Sequence, residues 1–155
     1  MSITSARLAL GFAAGSLSHL VVQGAYGSLL YAAKILPKLP WSLRPVAPFG
    51  VPQSVSLAFW AGLWGLAYAA LEPWLTARFG RWGGALLLGA VALMTHWLVA
   101  QPLKGFGIGG GFHAVMTAIE VGFAAVFGLG IAALFWAGLL LLRPQAHAAP
   151  SALQS

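Results

Sequence analysis

Long apolar runs alternate along this chain with short segments that collect its charges, prolines and glycines. The runs cover about residues 8–33, 53–71, 82–101 and 112–142. Crossing the hydrocarbon of a bilayer takes roughly 20 residues of helix, so the pattern predicts an all-α integral membrane bundle of four transmembrane helices in a single domain, residues 1–143. The segments between them differ in kind. Residues 37–53, PKLPWSLRPVAPFGVPQ, hold five prolines, which exclude a helix and favour extended geometry. This predicts a stiff cap over one end of the bundle. Residues 102–113, PLKGFGIGGGFH, form a glycine-rich turn, expected to be a mobile tip or a close backbone approach. The last residues, 144–155, are expected to be a disordered tail.

Within the runs, small and polar residues recur at helical spacing. In the first, Gly11, Gly15, His19, Gln23, Gly27 and Tyr31 follow at intervals of four and share one ridge. Such a ridge lets a second helix approach closely, so His19 and Gln23 are expected to face protein. The second run carries a small face, Ala58, Gly62, Gly65 and Ala69, beside an aromatic ridge, Trp60, Trp64 and Tyr68. Glu72-Pro73 is expected to break or kink this helix, because Pro73 cannot donate to the carbonyl four residues back. That places Glu72 at the surface among basic neighbours. In the fourth run His113, Thr117, Glu120, Ala124 and Phe127 share a face.

Composition sharpens this picture. The chain is 60% hydrophobic and 6% charged, with mean hydropathy +0.87, against roughly 25% charged residues in soluble domains. Small soluble folds leave too much surface in water to hide so much hydrocarbon. Net charge is +6, but the basic residues sit singly or in pairs beside apolar runs, where they anchor helix ends. A nucleic-acid partner would need a clustered basic face. There is no Cys, which removes disulfides and thiolate chemistry. Arg7 before an apolar run resembles a leader, but the apolar character continues to Ala33, which fits a retained helix better. With four spans both termini share a side. Arg7, Arg78, Arg81 and Arg143 then lie with them, and Lys34, Lys38, Arg44 and Lys104 lie opposite. The two sets are equal in number, so the positive-inside rule does not choose. The tight Arg78/Arg81 loop favours cytoplasmic termini.

Candidate chemistry gathers on the side opposite the termini. Depth along the helices brings Gln23, His96 and Glu120 into one half of the bundle, with His19 nearer the midplane, and His113 on the Glu120 face. We take His19, Gln23, His96, His113 and Glu120 as a polar intramembrane cluster. A carboxylate in a span is costly and usually faces the interior with a partner, which singles out Glu120. It is weighed against a hydrogen-bonded Glu that merely sets helix register. Gln53 and Lys104 are the loop candidates. Gly105, Gly107 and Gly110 match G-x-G-x-x-G, but an apolar helix and no strand precedes them, so no nucleotide site is expected. There is no G-x-S-x-G, no H-E-x-x-H and no Asp, so Asp-based triads and carboxylate-rich metal sites are excluded and no catalytic residue or metal ligand is assigned. An enzyme would have to use His96 with Glu120 as an acid–base pair, without an evident nucleophile.

The motifs PFGVPQ (48–53), FWAGLWG (59–65) and PLKG (102–105) resemble signatures of a family of small, uncharacterised four-span bacterial inner-membrane proteins. The resemblance covers most of residues 10–140. Ala61 stands where that family's pattern has Gly, a small-for-small change that keeps close packing. The likeness implies the architecture and the bacterial inner membrane, and carries no activity.

Three functions follow. The first is an accessory or assembly subunit of an inner-membrane complex, partnered by another membrane protein or by copies of itself. The second is a small oligomeric transporter or channel using Glu120. The third is a haem- or chlorophyll-type cofactor protein with His19, His96 or His113 as axial ligand.

Overall fold

The computed structural model describes residues 5–47 and 49–142. The tail expected to be disordered, 144–155, and Arg143 lie outside the described residues. Most of the described residues are helical, and one small hairpin lies among the connecting segments. Helix α1 spans Ser5–Ala32, α2 spans Gln53–Leu103 and α3 spans Ala114–Leu141. All three are long and apolar enough to cross a membrane. Their outward residues, Leu29, Phe59, Leu98 and Val121 among them, are large hydrophobics left exposed.

Helix α2 has 51 residues, which as a straight rod would run about 77 Å. It does not run straight. Gly80 has φ 71° and ψ 169°, a positive-φ conformation that glycine alone adopts freely. The chain doubles back there: a Cβ on Gly84 would lie 2.8 Å from that of Leu75, although nine helical residues normally span about 13 Å. The two limbs, residues 53–79 and 81–103, therefore pack as a helical hairpin.

Two glycine-lined crossings hold these parts together. Gly11 and Gly15 of α1 lie on Ala61, Gly65 and Ala69 of the first limb, backbone against backbone. Gly89 of the second limb and Gly128 of α3 meet the Ala124 and Ala85 carbonyls in the same way. Close approach of this kind is what small residues at four-residue spacing permit. Between the crossings lies a core in which Tyr68, Ile131 and Phe135 are fully buried, with the Tyr68 and Phe135 rings edge to face. The aromatic ridge of the second run is thus divided: Tyr68 is core, while Trp60 stays 60% exposed.

Three expectations need correction here. The first limb does not stop at Leu71 but continues through Pro73 to Gly80. Glu72 is not a surface carboxylate: it is 4% exposed and pairs with Arg7, itself 7% exposed. Arg7 is therefore not a headgroup anchor. The physical reason is local. Pro73 leaves the Ala69 carbonyl without its helical donor, and Arg7 Nε donates to that carbonyl at 3.3 Å while its guanidinium bridges to Glu72. Thr76 donates to the other Glu72 oxygen at 2.9 Å. The gap that was expected to end the helix is filled from α1.

The proline-rich segment forms no helix among its described residues before Gln53 and packs against α1. It contains an antiparallel pair, β1 (Pro45–Val46) and β2 (Val51–Pro52), tied at its base by Ser42 and Ser54. Its inner part lies on α1. A Cβ on Gly24 would strike the Trp41 ring, and one on Gly27 would come within 2.9 Å of Pro40. Trp41 Nε1 donates to the Leu20 carbonyl at 3.0 Å.

Candidate functional site

Beneath this cap lies a cavity of about 520 Å³. His19, Gln23, His96 and Glu120 all line it, from three different helices. Its walls are aromatic, with Trp41, Trp60, Trp64, Phe123 and Phe127. Apolar walls with a few convergent polar groups are the usual form of a small-molecule site.

The two histidines reach the cavity from irregular turns. In α1 the stretch Ser18–Gln23 is π-helical, and in α2 the stretch His96–Ala100 is too. Wide turns of this kind recur at functional sites because they redirect side chains. Each is anchored. Ser18, fully buried, donates to the Phe127 carbonyl at 2.9 Å. Beyond the second stretch, Gln101 is brought back to His96, five residues earlier, at 3.1 Å. Five residues is not a same-face spacing in a regular α-helix.

Glu120 is held by two neutral donors. Trp97 Nε1 donates to one oxygen and Gln101 Nε2 to the other at 2.9 Å. His96 Nε2 is 3.8 Å from Glu120 Oε1, beyond hydrogen-bond reach. On the opposite wall His19 Nδ1 and Gln23 Oε1 are 2.8 Å apart, and Gln23 Nε2 donates to the Phe123 carbonyl at 3.0 Å.

The glycine-rich turn supports this arrangement from behind. Gly105, Gly107, Gly109, Gly110 and Gly111 all have positive φ, so the turn is a close backbone fold that few other residues enter cheaply. It brings Phe112, at φ 50°, edge-on to the Trp97 ring at 5.3 Å. Gly110 sits over the Gln101 side chain, where a Cβ would come within 2.5 Å of Oε1. The turn thus positions both donors to Glu120.

Of the sequence candidates, His19, Gln23, His96 and Glu120 come together. His113 does not: it is exposed at the start of α3, outside the cavity, because the helix begins only at Ala114. Gln53 is exposed and borders a smaller hollow of about 250 Å³ under the cap. Lys104 is exposed just past the end of α2. Trp97 and Trp41 were missed as site residues. An indole donor one residue after His96 was the available signal for Trp97. Gln101 was visible as a polar residue, but its role depends on the π-helical turn.

As a cofactor site, the cavity offers two imidazoles. His19, with Nδ1 engaged by Gln23, has Nε2 as its ligating nitrogen; His96 has Nε2 engaged by Gln101. Among the described residues no group of three or more His, Asp or Glu is placed to hold a metal ion. Comparison with protein-family models, with curated proteins and with solved structures gave no match.

Proposed function

We propose that this chain is a four-span bacterial inner-membrane protein that binds a lipid-soluble small molecule within the bilayer. The observation that carries the reading is the 520 Å³ aromatic cavity with His19, Gln23, His96 and Glu120 on its walls. The resemblance of its PFGVPQ, FWAGLWG and PLKG motifs to small four-span bacterial proteins supports the same architecture. Reading each limb of α2 as one crossing makes four, since each has about the length a bilayer needs. The Gly80 turn with Arg78 and Arg81 then shares the cytoplasmic side with the termini. The cavity, the cap and the glycine turn lie towards the other face.

Binding fits the geometry better than conduction. Arg7 and His19 are twelve residues apart, about 18 Å along α1, and the core of Tyr68, Ile131 and Phe135 is completely buried. The polar groups around Glu72 and those around Glu120 form separate clusters with hydrocarbon packing between the helices. In this reading the protein serves a larger inner-membrane system as an accessory component that holds or hands over its ligand.

The test is uptake of a lipophilic fluorophore, 1-aminoanthracene, by the purified protein in nanodiscs. Saturable uptake is expected, and Ala92→Trp, which fills the cavity wall, should reduce it at least tenfold. Uptake unchanged by that substitution would mean that the cavity is not the site. For topology, the chain lacks Cys, so Phe49→Cys and Phe79→Cys can each carry a single label. An impermeant maleimide should reach the first from outside and the second only after lysis.

A further inference from the structure

The hydrogen bonds around the cavity fix which proton each imidazole carries. Gln23 Nε2 faces the Phe123 carbonyl, an acceptor only, so Gln23 Oε1 must face His19. An amide oxygen cannot donate, so His19 carries its proton on Nδ1 and, as neutral imidazole, presents Nε2 as an acceptor. Gln101 Nε2 has two hydrogens, and its two neighbours are Glu120 Oε1 and His96 Nε2. His96 Nε2 therefore accepts, and Nδ1–H is left to donate. Among the described residues, neither His19 Nε2 nor His96 Nδ1 has a hydrogen-bond partner. Both histidines line the cavity, from different helices, and one has an imidazole acceptor left over and the other an imidazole donor.

We infer that the ligand is a neutral, lipid-soluble hydroquinone: a flat ring with an apolar tail, one hydroxyl donating to His19 Nε2 and the other oxygen accepting from His96 Nδ1–H. The inference rests on the binding reading above. Three observations favour this class. Indole and phenyl walls from Trp41, Trp60, Trp64 and Phe123 suit a planar ring. Glu120 on the lining accepts from Trp97 and Gln101 through its two oxygens and so offers an acidic headgroup no donor of its own. The opposed hydrogen-bonding roles of the imidazoles match a quinol, which both donates and accepts, better than a quinone, which only accepts. An acid would have to use Lys38, the exposed cation on the lining.

The experiment is isothermal titration calorimetry of the full chain in zwitterionic nanodiscs with three ligands: a decyl-substituted benzoquinone, its quinol, and decanoate. The quinol should bind roughly five- to tenfold more tightly than the quinone, the effect of one imidazole left unpaired. His19→Phe should remove that preference, and His113→Phe, outside the cavity, should preserve it. Should His19→Phe fail to fold, Gln23→Leu, which frees the His19 tautomer, should reduce the preference to about twofold. Equal binding of quinol, quinone and decanoate, or tighter binding of decanoate that Lys38→Gln abolishes, would overturn the hydroquinone assignment and leave the cavity reading standing. Absence of binding by all three would overturn both.

Discussion

The chain has two carboxylates, and the structure treats them in opposite ways. Glu72 is closed off. It is 4% exposed, bridged to Arg7 and bonded to Thr76, and the Arg7 guanidinium also lies 4.9 Å from the Phe135 ring centre. Glu120 is left half open. Its side chain is 29% exposed, its donors are the neutral Trp97 and Gln101, and it borders a cavity. A buried charge with a full-charge partner is a structural element, because each needs the other. A carboxyl held by neutral donors at the edge of a cavity has open space beside it, the space that the proposed binding uses. Residue type alone does not separate the two; the partner and the neighbouring space do.

This contrast gives ordered expectations. The largest effect belongs to Arg7→Leu, which leaves Glu72 buried and unpaired and uncovers the Ala69 carbonyl. It should cost about 3–5 kcal/mol in unfolding from detergent or bicelles. Arg7→Met with Glu72→Leu should recover most of that loss, and a single variant as stable as the parent would remove the structural role assigned to the pair. Next is Gly65→Val, which forces a side chain into the Gly11 and Gly15 backbone; about 1–3 kcal/mol should be lost in the same assay. Gly110→Ala follows. Its φ of 56° and the nearby Gln101 Oε1 should cost about 1–2 kcal/mol. It should also weaken ligand uptake by displacing Gln101 from Glu120, and full uptake would disconnect the glycine turn from the site. The smallest stability effect is expected for Glu120→Gln, within about 1 kcal/mol, since an amide can still accept from Trp97. A loss as large as that of Arg7→Leu would erase the distinction between the two carboxylates.

Legibility followed the range of the interactions. The crossing at Gly11 and Gly15 was readable because four-residue spacing is local and the requirement for small residues is generic. Helix rise alone put Gln23, His96 and Glu120 in one half of the bundle and His19 nearer the midplane; that all four line one cavity was not readable from rise. The burial of Glu72 was not. Pro73 announced an open carbonyl at Ala69, but only the packing of α1 shows that Arg7, sixty-two residues away, fills it. The Gln101–His96 contact was hidden for a different reason: it depends on a π-helical turn, and regular helical periodicity puts those residues on different faces. His113 was misplaced because α3 begins at Ala114, two residues after the expected start at residue 112, which leaves His113 before the first helical turn.

By itself the sequence determined the solvent and the helices. Apolar runs of sufficient length, sparse charge, and proline or glycine at the breaks dictate helical rods suited to hydrocarbon, because backbone hydrogen bonds must close within each segment there. Only the tertiary structure decided which polar residues were sealed into the packing and which came to line a cavity. That choice depends on long-range partners and on the space left when rigid helices meet. The glycine crossings draw the helices together around Tyr68, Ile131 and Phe135. Under the proline-rich cap, a cavity stays open beside Glu120.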